Sequence, residues 1–325
     1  MAVVRSLFQI LTENIVDYHT RLTGPWDLQA TQITPGRFTS IHLGFTDSRS
    51  LVYEETFRGG VAIDCALARG FVAFSLPNVT ARSGKWWGRP FPENQIAFST
   101  GGREIAVQLP AGYGNLIAIL PVEDFRTDFE LETGTLPDFL DGQGHYLSLH
   151  PGCLEKLAGD WQEFIRPRAD SIMLRDGISL CREITRSLAA ALPRPPSSFS
   201  STAAGRHHVR RMIEICNDLD GQIDLDDVCR SLKVSRRSLE VHALTHLGVT
   251  PHRYLRLKRL NQAYEALLRA DPGTSLVKEI AANHSFHQVG RFSVEYRRHF
   301  GEMPSDTLQR AALDRCHGPA IDLRR

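Results

Sequence analysis

The chain has 325 residues, of which 42% are hydrophobic and 23% are charged, and its formal net charge is +1. This length predicts about two domains, and the composition is that of an ordinary globular protein. No apolar run approaches the roughly 18 residues of a membrane-spanning helix, so we expect no membrane partner. Residues 1–19 contain acidic side chains and lack the apolar core of a signal peptide, so we expect a cytoplasmic protein.

Charge is distributed unevenly along the chain. Residues 1–203 hold 18 basic and 22 acidic side chains, whereas residues 204–325 hold 20 and 15. The surplus of positive charge in the C-terminal third suits an anionic partner. The six cysteines show no CxxC spacing, so neither a zinc site nor a redox pair is predicted.

Short β-type segments dominate residues ~25–122. Runs such as "RFTSIHLGF", "LVYEETF" and "GFVAFSL" are separated by Gly, Pro, Asn or Asp, which predicts a small barrel or sandwich. Over residues ~136–191 the apolar residues recur three and four apart, which predicts helices. One such row is either a seam of the core or half of a dimer interface. Its members are Leu180, Ile184, Leu188 and Leu192.

The stretch "LPRPPSSFSSTAAG", residues 192–205, marks the clearest domain boundary. Its prolines, serines and small residues cannot bury much surface, so it is typical of a linker. We therefore predict an α+β protein. A β-rich, barrel-like domain with following helices should occupy residues 1–191, and an all-α domain should occupy residues 206–325.

The C-terminal domain contains an internal repeat. The segment "DDVCRSLKVSRRSLEVHALTHLGVTP" (226–251) aligns with "KEIAANHSFHQVGRFSVEYRRHFGEMP" (278–304). Both copies end in Gly and then Pro, so each predicts two short helices that are joined by a turn and closed by a left-handed cap. The matched apolar positions are Leu239 with Phe292, Ala243 with Tyr296, and Leu247 with Phe300.

Each copy buries one side of its second helix and leaves the other side polar and basic. This is the design of a helix-turn-helix, whose second helix enters the major groove of DNA. We predict these units at residues ~225–247 and ~276–300, with Asp224 and Ser235 as N-caps. Two copies in register favour DNA contact over the alternative, a solvated helix face.

A longer helix is predicted between the two units. The segment "TPHRYLRLKRLNQAYEALLRADPG" (250–273) begins with Thr250 as N-cap and Pro251 at the first helical position, and "DPG" ends it. About 19 helical residues span roughly 28 Å, close to the ~34 Å of one DNA turn. Such a spacer would set the two second helices in successive major grooves.

These segments resemble the C-terminal DNA-binding domain of the AraC/XylS family of bacterial transcription regulators. The resemblance covers about residues 206–310. It is carried by the Ser before the first recognition helix, Gly-x-x-Pro after it, Arg-Leu-x-x-Ala in the linking helix, Ile-Ala before the second turn and Phe-Gly-x-x-Pro at the end. The strand-rich then helix-rich order of the N-terminal part looks like a cupin-like sensing and dimerisation domain, with a layout loosely like that of ethanolamine-type regulators.

The resemblance implies which residues face DNA. Base-reading positions map to Arg237, Glu240 and Val241, with Arg236 beside them, and to Val289, Gly290, Ser293 and Val294. Arg can bind guanine edges or phosphates, and Glu240 can accept from a cytosine amine. Phosphate contacts are expected from Arg256, Lys258, Arg259, Arg297 and Arg298.

The sequence departs from the family pattern at several positions. The family often has Arg where Val241 and Val294 stand, Phe where Ala243 stands and Gly where Ser285 stands. We therefore expect the second recognition helix to dock mostly through backbone contacts and thymine methyl groups.

The stretch "SGKWWGRPFPENQ" (83–95) places Trp86 and Trp87 beside Lys85 and Arg89. Aromatic residues beside cations can enclose a ligand, so both Trp residues are candidates for effector binding. The alternative is a loop packed on the barrel with one Trp buried. His42 is the only His between residues 20 and 144, so no cupin metal site is predicted. No other cofactor is predicted from the sequence either.

The sequence thus predicts a DNA-binding transcription regulator rather than an enzyme. Its expected partners are double-stranded DNA, an unknown small-molecule effector, RNA polymerase if it is an activator, and a second copy of the chain. Two alternatives stay open at this point. One is an enzyme built on the N-terminal barrel, and the other is an architectural DNA binder with steep salt dependence and little sequence preference.

Overall fold

A computed structural model divides the chain into two compact units. Unit 1 comprises residues 1–30 and 39–203, and unit 2 comprises residues 31–38 and 204–325. The structure describes residues 5–21, 24–47, 49–77, 84–86, 89–141, 145–167, 179–193, 198–199, 204–218, 223–271, 273 and 275–316. Trp87 and most of the predicted linker (194–197 and 200–203) lie outside these described residues.

Unit 1 is built on antiparallel strands, as the short β-type runs predicted. They are β1 (Arg5–Thr12), β2 (Trp26–Gln32), β3 (Ser40–Asp47), β4 (Ser50–Phe57), β5 (Val61–Leu67), β6 (Phe71–Pro77), β7 (Lys85–Trp86), β8 (Arg89–Pro90), β9 (Gln95–Thr100), β10 (Glu104–Leu109), β11 (Gly114–Pro121), β12 (Tyr146–Ser148) and β13 (Ser198–Phe199). One sheet has the order β1-β3-β4-β11-β6-β9-β12-β13, and the other has the order β2-β5-β10-β7-β8.

The last of these strands lies inside the predicted linker. Phe199 of β13 pairs with Tyr146 of β12 at the edge of the larger sheet. Part of the stretch that was expected to be an unpaired linker therefore satisfies backbone hydrogen bonds in unit 1, which its composition did not indicate.

The larger sheet is buried on both faces. Val52 and Tyr53 are neighbours on β4, so they point to opposite faces, and they are 0% and 2% exposed. The face of Val52 packs against helices, and the face of Tyr53 lines a cavity with the smaller sheet. This double burial explains why β11 is one nearly continuous apolar run.

Helix α1 (Ile15–Arg21) contributes Tyr18 to the cavity between the two sheets. The face of Val52 is covered by α2 (Val122–Thr133), α3 (Cys153–Ile165) and α4 (Leu180–Ala191), with a short 3-10 helix at Asp138–Leu140. The row on α4 that was predicted to be a core seam or half of a dimer interface is buried in the core of unit 1. Its members Leu180, Ile184, Leu188 and Leu192 belong to one cluster with Phe74, Phe125 and Trp161.

Unit 2 is helical, which confirms the α+β class with an all-α C-terminal domain. Its helices are α5 (Ala204–Asp218), α6 (Leu225–Leu232), α7 (Arg236–Leu247), α8 (Pro251–Arg269), α9 (Val277–Asn283), α10 (Val289–Phe300) and α11 (Pro304–Cys316). The first helix-turn-helix is α6 with α7, and the second is α9 with α10. The linking helix α8 lies between them, and Thr250 caps it as predicted.

The two helix-turn-helix units bury equivalent residues, as the repeat predicted. Leu239 and Ala243 on α7, and Phe292 and Tyr296 on α10, are each 0–1% exposed. Burial of a large apolar side chain is worth about 1.5–3 kcal/mol, so packing rather than helix propensity stabilises these short helices. The second helix-turn-helix has an aromatic core, whereas the core of the first helix-turn-helix is aliphatic.

Unit 2 also includes residues 31–38, which comprise the last two residues of β2 and most of the connection to β3. The Gln32 N–H donates to Asn261 Oδ1 at 3.1 Å, and Gln32 Nε2 donates to the His299 carbonyl at 3.1 Å. His299 Nε2 lies 3.0 Å from the Gln32 carbonyl, and the Gly36 N–H donates to the His299 carbonyl at 2.8 Å. This segment, here called the 31–38 segment, is therefore bound to α8 and α10. No motif in the sequence predicted it.

Left-handed backbone closes several turns of unit 2. Gly248 (φ 68°) and Gly301 (φ 81°) cap α7 and α10, as predicted. In the turns between the paired helices, Lys233 (φ 53°) and Ser285 (φ 63°) adopt the same region without being glycine. A residue with a Cβ atom costs roughly 1–2 kcal/mol in this region. Ser285 stands where the AraC/XylS pattern often has Gly, and its left-handed backbone is therefore a source of strain.

Replacement of Ser285 by Gly is expected to stabilise unit 2. The change relieves the left-handed strain, but it also gives the unfolded chain more freedom, which leaves a net gain of about 0.5–1 kcal/mol. Thermal unfolding of the full chain should show a higher Tm for Ser285→Gly. Ser285→Ala is the matched control, because it removes the hydroxyl and keeps Cβ. An equal gain in Tm for both variants would contradict this explanation.

Candidate nucleic-acid interface and effector cavity

The first recognition helix, α7, begins directly after its N-cap. Ser235 Oγ accepts a hydrogen bond from the Ser238 N–H at 3.1 Å, as the sequence predicted. Arg236 and Arg237 follow in the first turn with exposed side chains. Arg236 Nη1 lies 3.7 Å from Asp226 Oδ1, and both side chains are more than half exposed. Such an exposed ion pair is weak, so Arg236 can exchange it for a phosphate.

Further along α7, the exposed surface is partly apolar. Glu240 is half-buried, whereas Val241 is 55% exposed and Leu244 is 47% exposed. Exposed methyl groups on a groove-facing helix can contact the methyl group of thymine. Sequence reasoning missed Leu244, because an apolar residue beside the buried row is easily taken for part of it.

The second recognition helix, α10, exposes few hydrogen-bonding groups. Val289 and Val294 are 37% and 70% exposed, and Gly290 offers only backbone. The Ser293 hydroxyl donates to the Val289 carbonyl at 3.0 Å, so part of its hydrogen-bonding capacity is used within the helix. This surface suits methyl contacts and close backbone approach better than hydrogen bonds to bases.

Arg256, a candidate phosphate ligand on α8, is engaged inside unit 2. Its Nε lies 2.8 Å from Glu295 Oε1, and Nη2 lies 2.5 Å from the other carboxylate oxygen. Its guanidinium carbon lies 5.3 Å from the centre of the Phe286 ring. This bidentate ion pair joins α8 to α10, so Arg256 has a packing role. The same contacts make Arg256 less available to DNA.

The other candidate phosphate ligands differ in exposure. Lys258 is 9% exposed, and Arg259 donates to the Ile223 carbonyl at 3.0 Å. Arg297 and Arg298 lie in the last turn of α10 and are exposed. Arg297 and Arg298 are therefore more accessible to a phosphate than Lys258 or Arg259.

A groove runs beside α10 and includes part of the candidate interface. Gly290, Val294 and Arg298 line this groove together with Pro35. The 31–38 segment, which binds His299, therefore also borders the surface of α10 that is predicted to face the bases.

Unit 1 encloses a cavity between its two sheets. The volume of this cavity is about 40 Å³. Trp86 is 6% exposed and lies in this wall with Trp26 and Tyr53. One of the two candidate effector residues thus belongs to a cavity, and the other, Trp87, lies outside the described residues.

A buried carboxyl group also lines the cavity. Glu55 is 3% exposed, and its Oε1 accepts a hydrogen bond from Asn115 Nδ2 at 3.5 Å. Burial raises the pKa of Glu55 to about 8, while hydrogen bonds from Asn115 and Tyr18 oppose the shift. His42 Nδ1 lies 3.9 Å from Glu55 Oε2, and burial lowers the pKa of His42 to about 4. Glu55 is therefore mostly protonated and His42 neutral at pH 7.

Sequence reasoning missed Glu55 because a Glu in a strand is usually exposed. A signal was available in "LVYEETF", since period-two alternation puts Tyr53 and Glu55 on the same face of β4. Among the described residues there is no group of three or more His, Cys, Asp or Glu side chains that could hold a metal ion.

Unit 2 is the part of the chain that matches a known protein family. Residues 228–310 match a family model described as a helix-turn-helix domain. The match runs from α6 into α11, so it includes both recognition helices and the linking helix.

Two curated relatives are gene regulators. A probable thc operon regulatory protein of Rhodococcus erythropolis is 31% identical over 227 residues, which cover 69% of this chain and 63% of that protein. The XylDLEGF operon transcriptional activator 3 of Pseudomonas putida is 34% identical over 116 residues, which cover 36% of this chain and 34% of that protein. This chain therefore spans less than two thirds of either relative.

Among solved structures, the AraC-like transcriptional activator CuxR is 15% identical and covers 80% of this chain and 96% of its own, with a TM-score of 0.40. The alignment with the thc operon protein is longer than unit 2, so that similarity extends into unit 1.

The C-terminal part of this chain is thus a DNA-binding domain of the helix-turn-helix class. More narrowly, the two curated relatives are an operon regulatory protein and an operon transcriptional activator, so this chain is similar to regulators of transcription. In the part of the chain that the structure describes, no helix has the length and apolarity needed to cross a membrane.

Arg256 and Arg297 are expected to differ in what their removal changes. Arg256→Gln breaks the ion pair with Glu295 and should reduce the free energy of unfolding by about 0.5–1 kcal/mol, because the pair is partly exposed. Arg297→Gln should leave the Tm unchanged and reduce the slope of log K against log salt by about 1. Thermal unfolding and DNA binding across a salt series measure both effects. Equal salt slopes for the two variants would contradict the division between a packing and a phosphate-binding arginine.

Proposed function

We propose that this protein is a sequence-specific transcription regulator that reads two successive major-groove segments through α7 and α10. The observation that carries the proposal is the pair of helix-turn-helix units in register. Each unit buries an apolar row and exposes the opposite face of its second helix. The names of the relatives, an operon regulatory protein and an operon activator, support the same role.

The length of α8 supports binding on one side of the duplex. This helix has 19 residues, or roughly 28 Å, which approaches the ~34 Å repeat of the major groove. Its buried residues run from Pro251 to Leu267, so the spacing between α7 and α10 is set by a packed element rather than by a loop.

The two recognition helices have different proposed roles. On α7, Arg237 and Glu240 supply hydrogen-bonding groups for bases, with Arg236 and Val241 beside them. On α10, the proposed base-facing residues dock by methyl and backbone contacts while exposed arginines bind phosphates. Those residues of α10 are Val289, Gly290, Ser293 and Val294 for the bases, and Arg297 and Arg298 for the phosphates.

We further propose that unit 1 senses a small molecule in the cavity that Trp86 lines. Strand β2 supplies Trp26 and Leu28 to the cavity wall and continues into the 31–38 segment, which is bound to α8 and α10. Suppose that β2 has two conformations and that a ligand binds one of them more tightly. The ligand would then shift the balance between the corresponding conformations of the 31–38 segment, to an extent set by its difference in affinity for the two. As an activator, the protein would contact RNA polymerase and would act as a pair of copies.

Selection of DNA from a random duplex library tests the central proposal. Purified full-length protein is expected to enrich one motif with two parts about one helical turn apart. Enrichment of one part only would restrict base reading to α7 and leave α10 as a docking helix. Binding without any enrichment, with a steep dependence on salt, would contradict sequence-specific regulation and favour an architectural role.

Arg237→Ala is expected to weaken binding to the selected site by about 1–3 kcal/mol and to relax preference at one base position. Competition binding with single-base variants of the site measures both quantities. Arg269→Ala is the matched control, since Arg269 is exposed at the end of α8 and pairs with Glu265. Affinity and preference that stay the same in Arg237→Ala would show that α7 lies in a different register in the groove.

A further inference from the structure

The cavity of unit 1 combines aromatic walls with one buried acid. The rings of Tyr18, Trp26, Tyr53 and Trp86 line it, and Glu55 lies among them. Among the described residues that form the wall, none is a Lys or an Arg. The wall is otherwise mostly apolar, so Glu55 dominates its electrostatic character.

An anionic ligand does not fit this wall. A carboxylate in apolar surroundings needs a cation or several donors to offset its lost hydration. The titratable groups of the described residues that face Glu55 are Tyr18 on α1, His42 on β3, Tyr53 on β4, Cys65 on β5 and Tyr113 directly before β11. Burial lowers the pKa of His42 to about 4, so its ring is neutral at neutral pH. Burial raises the pKa of the three tyrosines and the thiol, so these groups are neutral too, and none of them can supply a cation.

A cationic nitrogen fits the same wall. An ammonium group beside Glu55 favours the ionised carboxylate, and the faces of Tyr and Trp rings attract cations. Asn115 is already in place to hold that carboxylate. Its Nδ2 donates to Glu55 Oε1, and its own Oδ1 accepts a 2.7 Å hydrogen bond from Ser75 Oγ. The apolar part of the wall can accept a hydrocarbon group.

We propose that the cavity binds a small hydrophobic amine whose protonated nitrogen forms an ion pair with Glu55. The hydrocarbon part of the ligand lies against Trp26, Tyr53 and Trp86. The inference rests on the proposed effector-sensing role of unit 1 and names its class of ligand. Binding is noncovalent. The ammonium ion enters the cavity, the Glu55 carboxyl group releases its proton to solvent, and the net charge of the cavity stays near zero.

Isothermal titration calorimetry of the full chain at pH 7 tests this class of ligand. The probes are ethylamine, isobutylamine and benzylamine, each compared with an alcohol and a carboxylate of similar size. We expect at least one amine to bind tenfold or more tightly than its alcohol, and the carboxylates to give no binding. Titration in two buffers of different ionisation enthalpy should show release of about one proton per amine. Failure of all three amines, or an alcohol that matches its amine, overturns the proposal.

Two variants distinguish a role of the Glu55 carboxyl group in binding from a general effect of changing a buried Glu. Glu55→Gln should lose tenfold or more in amine affinity, release no proton and still bind the alcohol. Glu54→Gln is the control, because Glu54 is also buried but pairs with Arg166 at 2.7 Å and does not line the cavity. It should bind the amine as the parent does. An amine affinity that is unchanged in Glu55→Gln overturns the ion pair.

Thermal unfolding shows whether Glu55→Gln fails to bind the amine as a folded protein or fails to bind because it does not fold. The pKa of Glu55 is raised in the folded state, so stability from this group is full below pH 4.5 and is lost as pH rises through 8. Glu55→Gln should therefore have a Tm at pH 8 at least equal to that of the parent.

DNA binding by the same preparations distinguishes the two proposals. DNA binding without amine binding sinks the ligand class and leaves the regulator function standing. Amine binding in a chain that enriches no DNA motif supports the ligand class while the regulator function fails.

Discussion

The packing of α8 is the constraint on which unit 2 depends. Tyr254, Leu257 and Leu267 on this helix are 0–1% exposed, so little of its apolar surface remains free. Both helix-turn-helix units complete their cores against this one helix, because neither pair of short helices can bury its apolar row alone. The distance between the recognition helices is therefore a property of the core, and a change in that distance would expose apolar surface.

Polar groups are buried in two different ways in this chain. Asn261, Gln32 and His299 satisfy one another through hydrogen bonds. Burial lowers the pKa of His299 to about 4, so its ring stays neutral at pH values below the usual 6.5 at which a His is half protonated. A satisfied polar network of this kind fixes one arrangement of its members. Glu55 has hydrogen bonds, but among the described residues none places a cation opposite its carboxyl group, so its charge state depends on what enters the cavity. The first arrangement gives rigidity, and the second can respond to a ligand.

Exposed apolar side chains on the recognition helices have a physical explanation in their proposed partner. Val241 and Val294 are more than half exposed, which is unfavourable in water unless another surface covers them. The major groove carries thymine methyl groups, so the same side chains would gain contact in the proposed complex with DNA. The family often has Arg at these two positions, where it would supply a charge. With Val in its place, the proposed recognition of DNA depends more on shape and on the neighbouring arginines.

The sequence by itself determined the local and periodic features of this protein. The strand runs, the paired helices, the caps at Ser235, Thr250 and Gly248 and the repeat all depend on residues that are close in the chain. Only the tertiary structure decided which polar groups meet, since Gln32 and Asn261 are 229 positions apart. It also decided that Arg256 packs against Glu295, and that Glu55 lines a cavity. Propensity and capping are set by near neighbours, whereas burial, ion pairing and pKa depend on which distant elements pack together.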